Sequence, residues 1–198
     1  MSNKSYHHGD LRTALIEKGI EVIDDKGVAA LSLRKVATAC GVSEAAPYAH
    51  FANKNELMGA IENYVSDKLL TALRESVDET GETQEGLVDL GCAFVMFFVR
   101  NPQYFDLIYS HLNIKAGGEN RYEPYDFIVD FMLKLFENIG CPPELRRITF
   151  FAQLSFIQGL TLFSLMDTNK DVTAMEERVR EVLSTNYLLF LKNSERTK

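Results

Sequence analysis

Cysteine and positive charge are both scarce in this 198-residue sequence, and each shortage removes a class of protein. Cys40, Cys92 and Cys141 are odd in number and widely dispersed, which argues against a disulfide framework and against a zinc site. They read as buried free thiols. His7 and His8 are adjacent and cannot share a helical face, so they do not read as metal ligands. No metal or cofactor is expected. Lys and Arg number 21 against 28 Asp and Glu, a net charge of -7, so a broad basic surface is missing. Strand alternation and internal repeats are missing too, which leaves an all-α reading. No basic segment followed by an apolar core opens the chain; polar MSNKSYHHGD runs into a charged helix, the pattern of a cytoplasmic protein. The 46% of hydrophobic residues suffices for one or two compact domains and excludes a largely disordered chain.

The informative stretch is residues 32 to 58, SLRKVATACGVSEAAPYAHFANKNELM. Leu33, Val36, Ala37 and Cys40 fall at i, i+3, i+4 and i+7, on one helical face. Ser32 is placed to cap that helix, and Gly41 to end it in the left-handed conformation. Ser43 then offers its side-chain oxygen to the first amides of a second helix, from Glu44 to about His50. Three residues separate the two helices, the turn length of a helix-turn-helix. In that motif the second helix enters the major groove, so Ser43, Glu44, Ala45 and Ala46 would face base edges. The methyl groups of Ala45 and Ala46 suit the thymine methyl. Glu44 either accepts from a cytosine amino group or stays solvated, with solvation slightly favoured. Pro47, at the fourth helical position, predicts a short, stiff or irregular reading helix, with Val42 and Pro47 as a staple across the cap. Asn53 and Glu56 have the spacing of a reciprocal cap for a third helix carrying Leu57, Ile61 and Val65 on one face. Lys54 sits in that helix's first turn, where the dipole disfavours a cation unless a phosphate is bound.

The run LSLRKVATACGVSEAAPYAHFANKNELMGAI resembles the DNA-binding region of the TetR/AcrR family of transcriptional regulators. The signature is carried by Ser32, by Ala37 to Ser43, by Tyr48 to Phe51 and by Lys54 to Leu57. The upstream YHHGDLRTALIEKGIEVIDDKG is similar to the family's first helix and its lead-in. The match is strong over roughly the first 60 residues; beyond them the helical character and length agree. The resemblance implies that Ser32 and Lys35 meet the sugar-phosphate backbone, that Tyr48, His50 and Lys54 hold it beside the reading helix, and that Phe51 is a core plug. His7, His8 and Lys4 would form an arm close to DNA.

Residues 1 to 58 are expected to form the reading domain, and residues 59 to 198 an acidic helical body for effector binding and dimerisation. The first 58 residues are close to electrically balanced, so the negative excess lies in the body. A duplex can then be held through a few placed phosphate contacts. Leu69 and Leu73 extend a linking helix to a polar break at Asp78 to Gln84. A helix follows to Arg100, with Leu87, Leu90, Phe94, Phe97 and Phe98 inward. Asn101-Pro102 signals another start. Lys115 to Asn120 reads as a loop, Tyr125 to Ile139 as a helix closed by Gly140, and Val172 to Leu191 as a last amphipathic helix.

Between these lies Ile148 to Met166, 19 residues without a charge, long enough for a bilayer. Thr149, Gln153, Ser155, Gln158, Thr161 and Ser164 would need partners in lipid, which weighs against a membrane span. A helix apolar all round fits better between its own domain and a second subunit. The resemblance points the same way, to a four-helix interface between homodimer copies; Ser155, Gly159, Leu162, Phe163, Val179 and Leu183 are the candidates. Twelve of the thirteen Phe and six of the eight Tyr lie beyond residue 58. They are core material or the lining of an apolar effector pocket. The pocket candidates are Phe94, Phe98, Tyr104, Phe105, Tyr109, Phe127, Phe131 and Phe151, with Gln153 and His111 as polar contacts, and they favour a lipophilic, planar effector.

These expectations describe a homodimeric repressor that reads a pseudo-palindromic double-stranded operator and is released by a small-molecule effector, repression being carried by the resemblance. Two alternatives stand beside it. One is a helical-bundle enzyme using Cys92 or His111, neither of which sits in a recognisable catalytic motif. The other is an interaction protein that keeps the helix-turn-helix as a packing unit.

Overall fold

The computed structural model describes residues 8–109, 123–168 and 171–195, which contain helices and turns and no strand. Lys4, His7, His111 and the loop expected at 115–120 lie outside the described residues, as do the side chains of His8 and Tyr109. The chain divides into two compact units, Met1–Val65 with Asp106–His111, and Ser66–Phe105 with Leu112–Lys198.

In the first unit α1 (His8–Lys26) leads through a 3-10 turn (Val28–Ala30) into α2 (Leu33–Cys40), and a second 3-10 turn (Ala46–Ala49) precedes α3 (Lys54–Ser76). The core is the meeting of three apolar faces: Leu15, Ile16, Ile20 and Ile23 from α1, Leu33, Val36 and Ala37 from α2, and Leu57, Ile61 and Val65 from α3. Phe51 is buried among them as expected, with the Arg12 guanidinium 5.2 Å above its ring. α2 begins and ends as its sequence requires. The Ser32 hydroxyl accepts from the Lys35 amide at 3.3 Å. Gly41, at φ 69°, closes the helix as its amide reaches the Thr38 carbonyl and that of Val42 reaches Ala37.

The second unit is organised around α4 (Gln84–Arg100), which packs along α7 (Pro143–Met166) and α8 (Val172–Glu195). Thr83 caps α4 by accepting from the Gly86 amide at 3.1 Å. Gly86 admits no side chain, because a Cβ there would stand 1.9 Å from the Gly81 carbonyl oxygen. Cys92, Val95 and Met96 of α4 form a core with Met175, Val179 and Leu183 of α8. Arg180 to Asp89 (2.5 Å) and Arg100 to Glu176 (2.6 Å) tie the same two helices. The Asp89 carboxylate, as hydrogen-bond partner, holds the Arg180 pKa above its ordinary value.

Two local expectations change. α5 (Gln103–Tyr109) does follow Asn101-Pro102, but the Asn101 side chain donates backwards to the Phe97 carbonyl at 2.8 Å, closing α4 instead of opening α5. α6 spans Glu123–Asn138, starting two residues earlier than its apolar spacing suggests and ending in a turn at Gly140 (φ 68°), where the Cys141 amide reaches the Phe136 carbonyl.

α7 has two unlike faces. Thr149, Thr161 and Ser164 are buried in the unit, and the Thr161 hydroxyl is satisfied by the Ile157 carbonyl at 2.8 Å. Ile148, Phe163 and Met166 lie on the other side, 68%, 75% and 74% exposed. The helix is long and apolar enough to cross a membrane by length and composition, with a mean hydropathy of 1.5, and 17% of that stretch is buried within the chain. Of the interface candidates, Ser155, Leu162 and Phe163 are exposed and Gly159 is half-buried with nothing within 4 Å of an added Cβ. Val179 and Leu183 are corrected. They point into the α4 core, since on α8 they share the buried stripe of Met175, and they offer no surface to another subunit.

Candidate nucleic-acid interface and ligand cavity

The reading segment is more irregular than a helix from Glu44. Residues 44 and 45 form a turn, and the helical part is a single 3-10 turn over Ala46–Ala49. Pro47 accounts for this, having no amide to donate and a ring that disfavours an α turn before it. Ser43 does not act as the expected side-chain cap: the 3-10 turn has none, and the Ser43 carbonyl accepts from the Ala46 amide at 3.0 Å. The tip is nonetheless firmly tied. The amides of His50 and Phe51 both reach the Pro47 carbonyl at 2.9 Å, and Pro47 and Phe51 are buried.

Ser43, Glu44 and Ala45 are exposed and Ala46 is half-exposed, so the residues expected to face bases are at the surface. Tyr48 beside them is 56% exposed, a large ring with a hydroxyl available to a partner. Lys35 is exposed on α2, one turn from half-buried Ser32, and His50 is half-buried with its ring 6.4 Å from that of Phe51.

Glu44 is not simply solvated. The Arg34 guanidinium reaches its Oε2 through Nη2 at 2.7 Å and through Nε at 2.8 Å, joining α2 to the reading tip. Glu44 as hydrogen-bond partner raises the Arg34 pKa further above its ordinary value. Arg34 was not singled out by the sequence, because its position on the exposed side of α2 carries no periodic or capping signal.

The start of α3 also differs from expectation. Asn53 Oδ1 accepts from the Glu56 amide at 3.0 Å, as the reciprocal cap requires, but Glu56 Oε2 accepts from Ala52 at 2.6 Å, one residue further back. The Lys54 ammonium donates to the Val28 carbonyl at 3.0 Å. The dipole penalty on Lys54 is therefore offset within the fold by the Val28 carbonyl, and a phosphate is not needed to explain it. Two of its three N–H groups remain for a further acceptor.

In the second unit a cavity of about 70 Å³ lies among α4, α6, α7 and α8. Of the pocket candidates, Phe94 and Gln153 line it. The others with described side chains do not. Phe98 is wholly buried, edge-on to Phe94 and Phe97 at 5.2 Å and to Phe105 at 5.5 Å, while Tyr104 lies 5.6 Å from Phe97. Phe131 is in the core, Phe127 lies under the Arg74 guanidinium, and Phe151 is on the exposed side of α7. Phe94, Phe97 and Phe98 of α4 pack against one another and against Tyr104 and Phe105 of α5. Residues outside the candidate set make most of the wall, among them Leu87, Val88, Leu90, Ile128, Leu154 and Ile157 and the rings of Phe150, Phe156 and Tyr187. Gly91 opens the floor, since a Cβ there would sit 3.2 Å from Ile157 and from Leu183. Gln153 is joined across the cavity by Asn186 Nδ2, which donates to its Oε1 at 3.1 Å.

Comparison with known proteins places these features in context. Residues 15–61 match the family described as bacterial regulatory proteins, tetR family. The nucleoid occlusion factor SlmA of Vibrio campbellii is 27% identical over 86 residues, 43% of this chain and 44% of that protein, so the chain spans less than half the length of this relative. A TetR-like transcriptional regulator from Rhodococcus sp. RHA1 superimposes with a TM-score of 0.70 at 15% identity, over 93% of this chain and 98% of its own. AibR, solved in complex with isovaleryl coenzyme A and operator DNA, gives 0.66 at 21% identity, over 87% and 95%. At these identities the likeness is one of fold.

Proposed function

This chain is a transcriptional regulator of the TetR family of bacterial regulatory proteins, and on that premise we propose that it is a homodimeric repressor, released from a pseudo-palindromic operator by a small, largely apolar effector. Residues 1–58 read the duplex and residues 59–198 sense the effector and dimerise. The observation that carries the reading is the exposed strip of Ser43, Glu44, Ala45 and Tyr48 on a tip fixed by buried Pro47 and Phe51. Ser43 to Ala46 meet base edges, while Ser32, Lys35, Tyr48, His50 and Lys54 grip the strand backbone.

A lone acidic chain with few placed cations binds DNA weakly, and a twofold pair doubles its phosphate contacts. The exposed face of α7, with Ile148, Phe163 and Met166, is where a second copy buries apolar surface. Two reading tips then meet half-sites about one helical turn, ~34 to 36 Å, apart or a multiple of it. An effector held in the α4–α8 cavity favours a dimer whose tips do not match that spacing, and DNA is released. The protein works in the cytoplasm, without a cofactor and without catalysis. The AibR complex, which holds both a ligand and operator DNA, supports joining the two activities in one chain. Recovering the genomic fragments that the purified chain retains tests the proposal: a shared inverted repeat is expected, and fragments without a common sequence would contradict it.

A further inference from the structure

The cavity in the second unit restricts the effector more narrowly than apolar character alone. Its volume is about 70 Å³. At roughly 10–15 Å³ for each water-sized group, that is room for about five to seven non-hydrogen atoms.

No lining residue carries a charge. Asp89 and Arg180, on the two helices α4 and α8 that border it, are engaged with one another, and neither lines the cavity. An ion entering would leave water for hydrocarbon without a counter-charge, which strongly disfavours a carboxylate, a phosphate or an ammonium. The polar side chains that line the space are two carboxamides, Gln153 and Asn186, and the phenol of Tyr187. The bond from Asn186 to Gln153 uses one N–H of the first and the oxygen of the second. It leaves the Gln153 amino group as donor and Asn186 Oδ1 as acceptor, side by side on α7 and α8.

We propose that this cavity binds a small uncharged molecule with a compact aliphatic body and an amide-like head, an acceptor beside a donor, seated between Gln153 and Asn186. The head adds two bonds beside the Gln153–Asn186 bond, so occupancy is felt where α7 meets α8. This deepens the effector role proposed above, and only the consequence for DNA rests on that role.

Isobutyramide, isobutyrate and isobutanol, titrated into the full chain at pH 7 with binding followed by ligand-observed NMR, test the proposal. Isobutyramide should bind about tenfold or more tightly than isobutyrate, which is charged at that pH. Gln153→Leu and Asn186→Leu should each lower amide affinity about fivefold or more while leaving isobutanol much less affected. The ligand series on the natural chain decides the matter alone if either variant fails to fold. Isobutyrate binding as well as isobutyramide, or no amide binding at about 50 mM, overturns the proposal, that concentration being generous for a six-atom ligand. Amide binding in a chain that retains no operator removes the regulator reading and upholds this one; operator retention without amide binding removes this one alone.

Discussion

Arg34 and Glu44 are joined through one carboxylate oxygen, which takes both Nε and Nη2 of the guanidinium. Both side chains are well exposed, so the pair adds little to stability. Its consequence is electrostatic. An acid at a base-facing position would repel phosphates, and Arg34 cancels it while keeping three N–H groups for other acceptors.

Glu44→Ala therefore releases a cation at the reading surface. Non-specific duplex affinity at low salt should rise severalfold, and the plot of log affinity against log salt should steepen by about 0.9 if Arg34 takes one phosphate. Fluorescence anisotropy with a random-sequence duplex at several salt concentrations checks this. An unchanged slope would show that Arg34 stays clear of the backbone.

Lys35→Ala and Tyr48→Ala should weaken binding to all sequences alike, with Lys35→Ala flattening the salt slope by about 0.9. Substitution at Ala45 or Ala46 should instead relax sequence preference. Lys54→Ala has a second effect, because its ammonium holds the Val28 carbonyl: a stability loss of about 1 kcal/mol in urea melts is expected alongside weaker DNA binding. Stability unchanged by that substitution would count against the bond.

The aromatic cluster and the outer face of α7 should respond in opposite ways. Phe98→Ala removes a wholly buried ring touched by Phe94, Phe97 and Phe105, and should cost about 3–5 kcal/mol. Phe163→Glu changes a side chain 75% exposed in the single chain, leaving its helical circular dichroism intact. Sedimentation should show that variant as a monomer where the natural chain is a dimer. A Phe163→Glu dimer would move the interface elsewhere.

Burial pushes the Cys92 thiol up to about 11. A raised thiol pKa and near-complete burial both suppress reaction, so alkylation of Cys92 at pH 8 should be about tenfold or more slower in the folded protein than in urea. Mass spectrometry of peptides after timed iodoacetamide treatment would show it, and equal rates in the folded protein and in urea would contradict the buried placement. In urea all three cysteines should react at similar rates.

The caps of α2 and the buried stripe Leu33, Val36, Ala37 were legible because they depend on neighbours within one turn, which sequence spacing records. So was Phe51. The reading tip was half legible: Pro47 announced an irregular helix, while the loss of the Ser43 cap depended on how the 3-10 turn closed on its own backbone. Contacts across long separations left no such trace. Arg34 with Glu44, Lys54 with Val28 and Gln153 with Asn186 appear once helices are packed. Counting aromatics found Phe94 but otherwise chose the wrong residues, since Phe98 and Phe105 pack on one another and the wall is made by Leu, Ile and Val together with Phe150, Phe156 and Tyr187. Val179 and Leu183 went the same way, because amphipathic spacing on α8 identifies an apolar face and does not say whether a neighbouring helix or a second copy covers it.

Hydroxyl-radical footprinting of the complex with a recovered operator, paired with its mass by analytical ultracentrifugation, is the most direct test. The account predicts chains bound in twos, with two protected tracts whose centres are about one helical turn, ~34 to 36 Å, or a whole multiple apart along one face of the duplex. A single chain on a single tract, or protection without a preferred position, would contradict it.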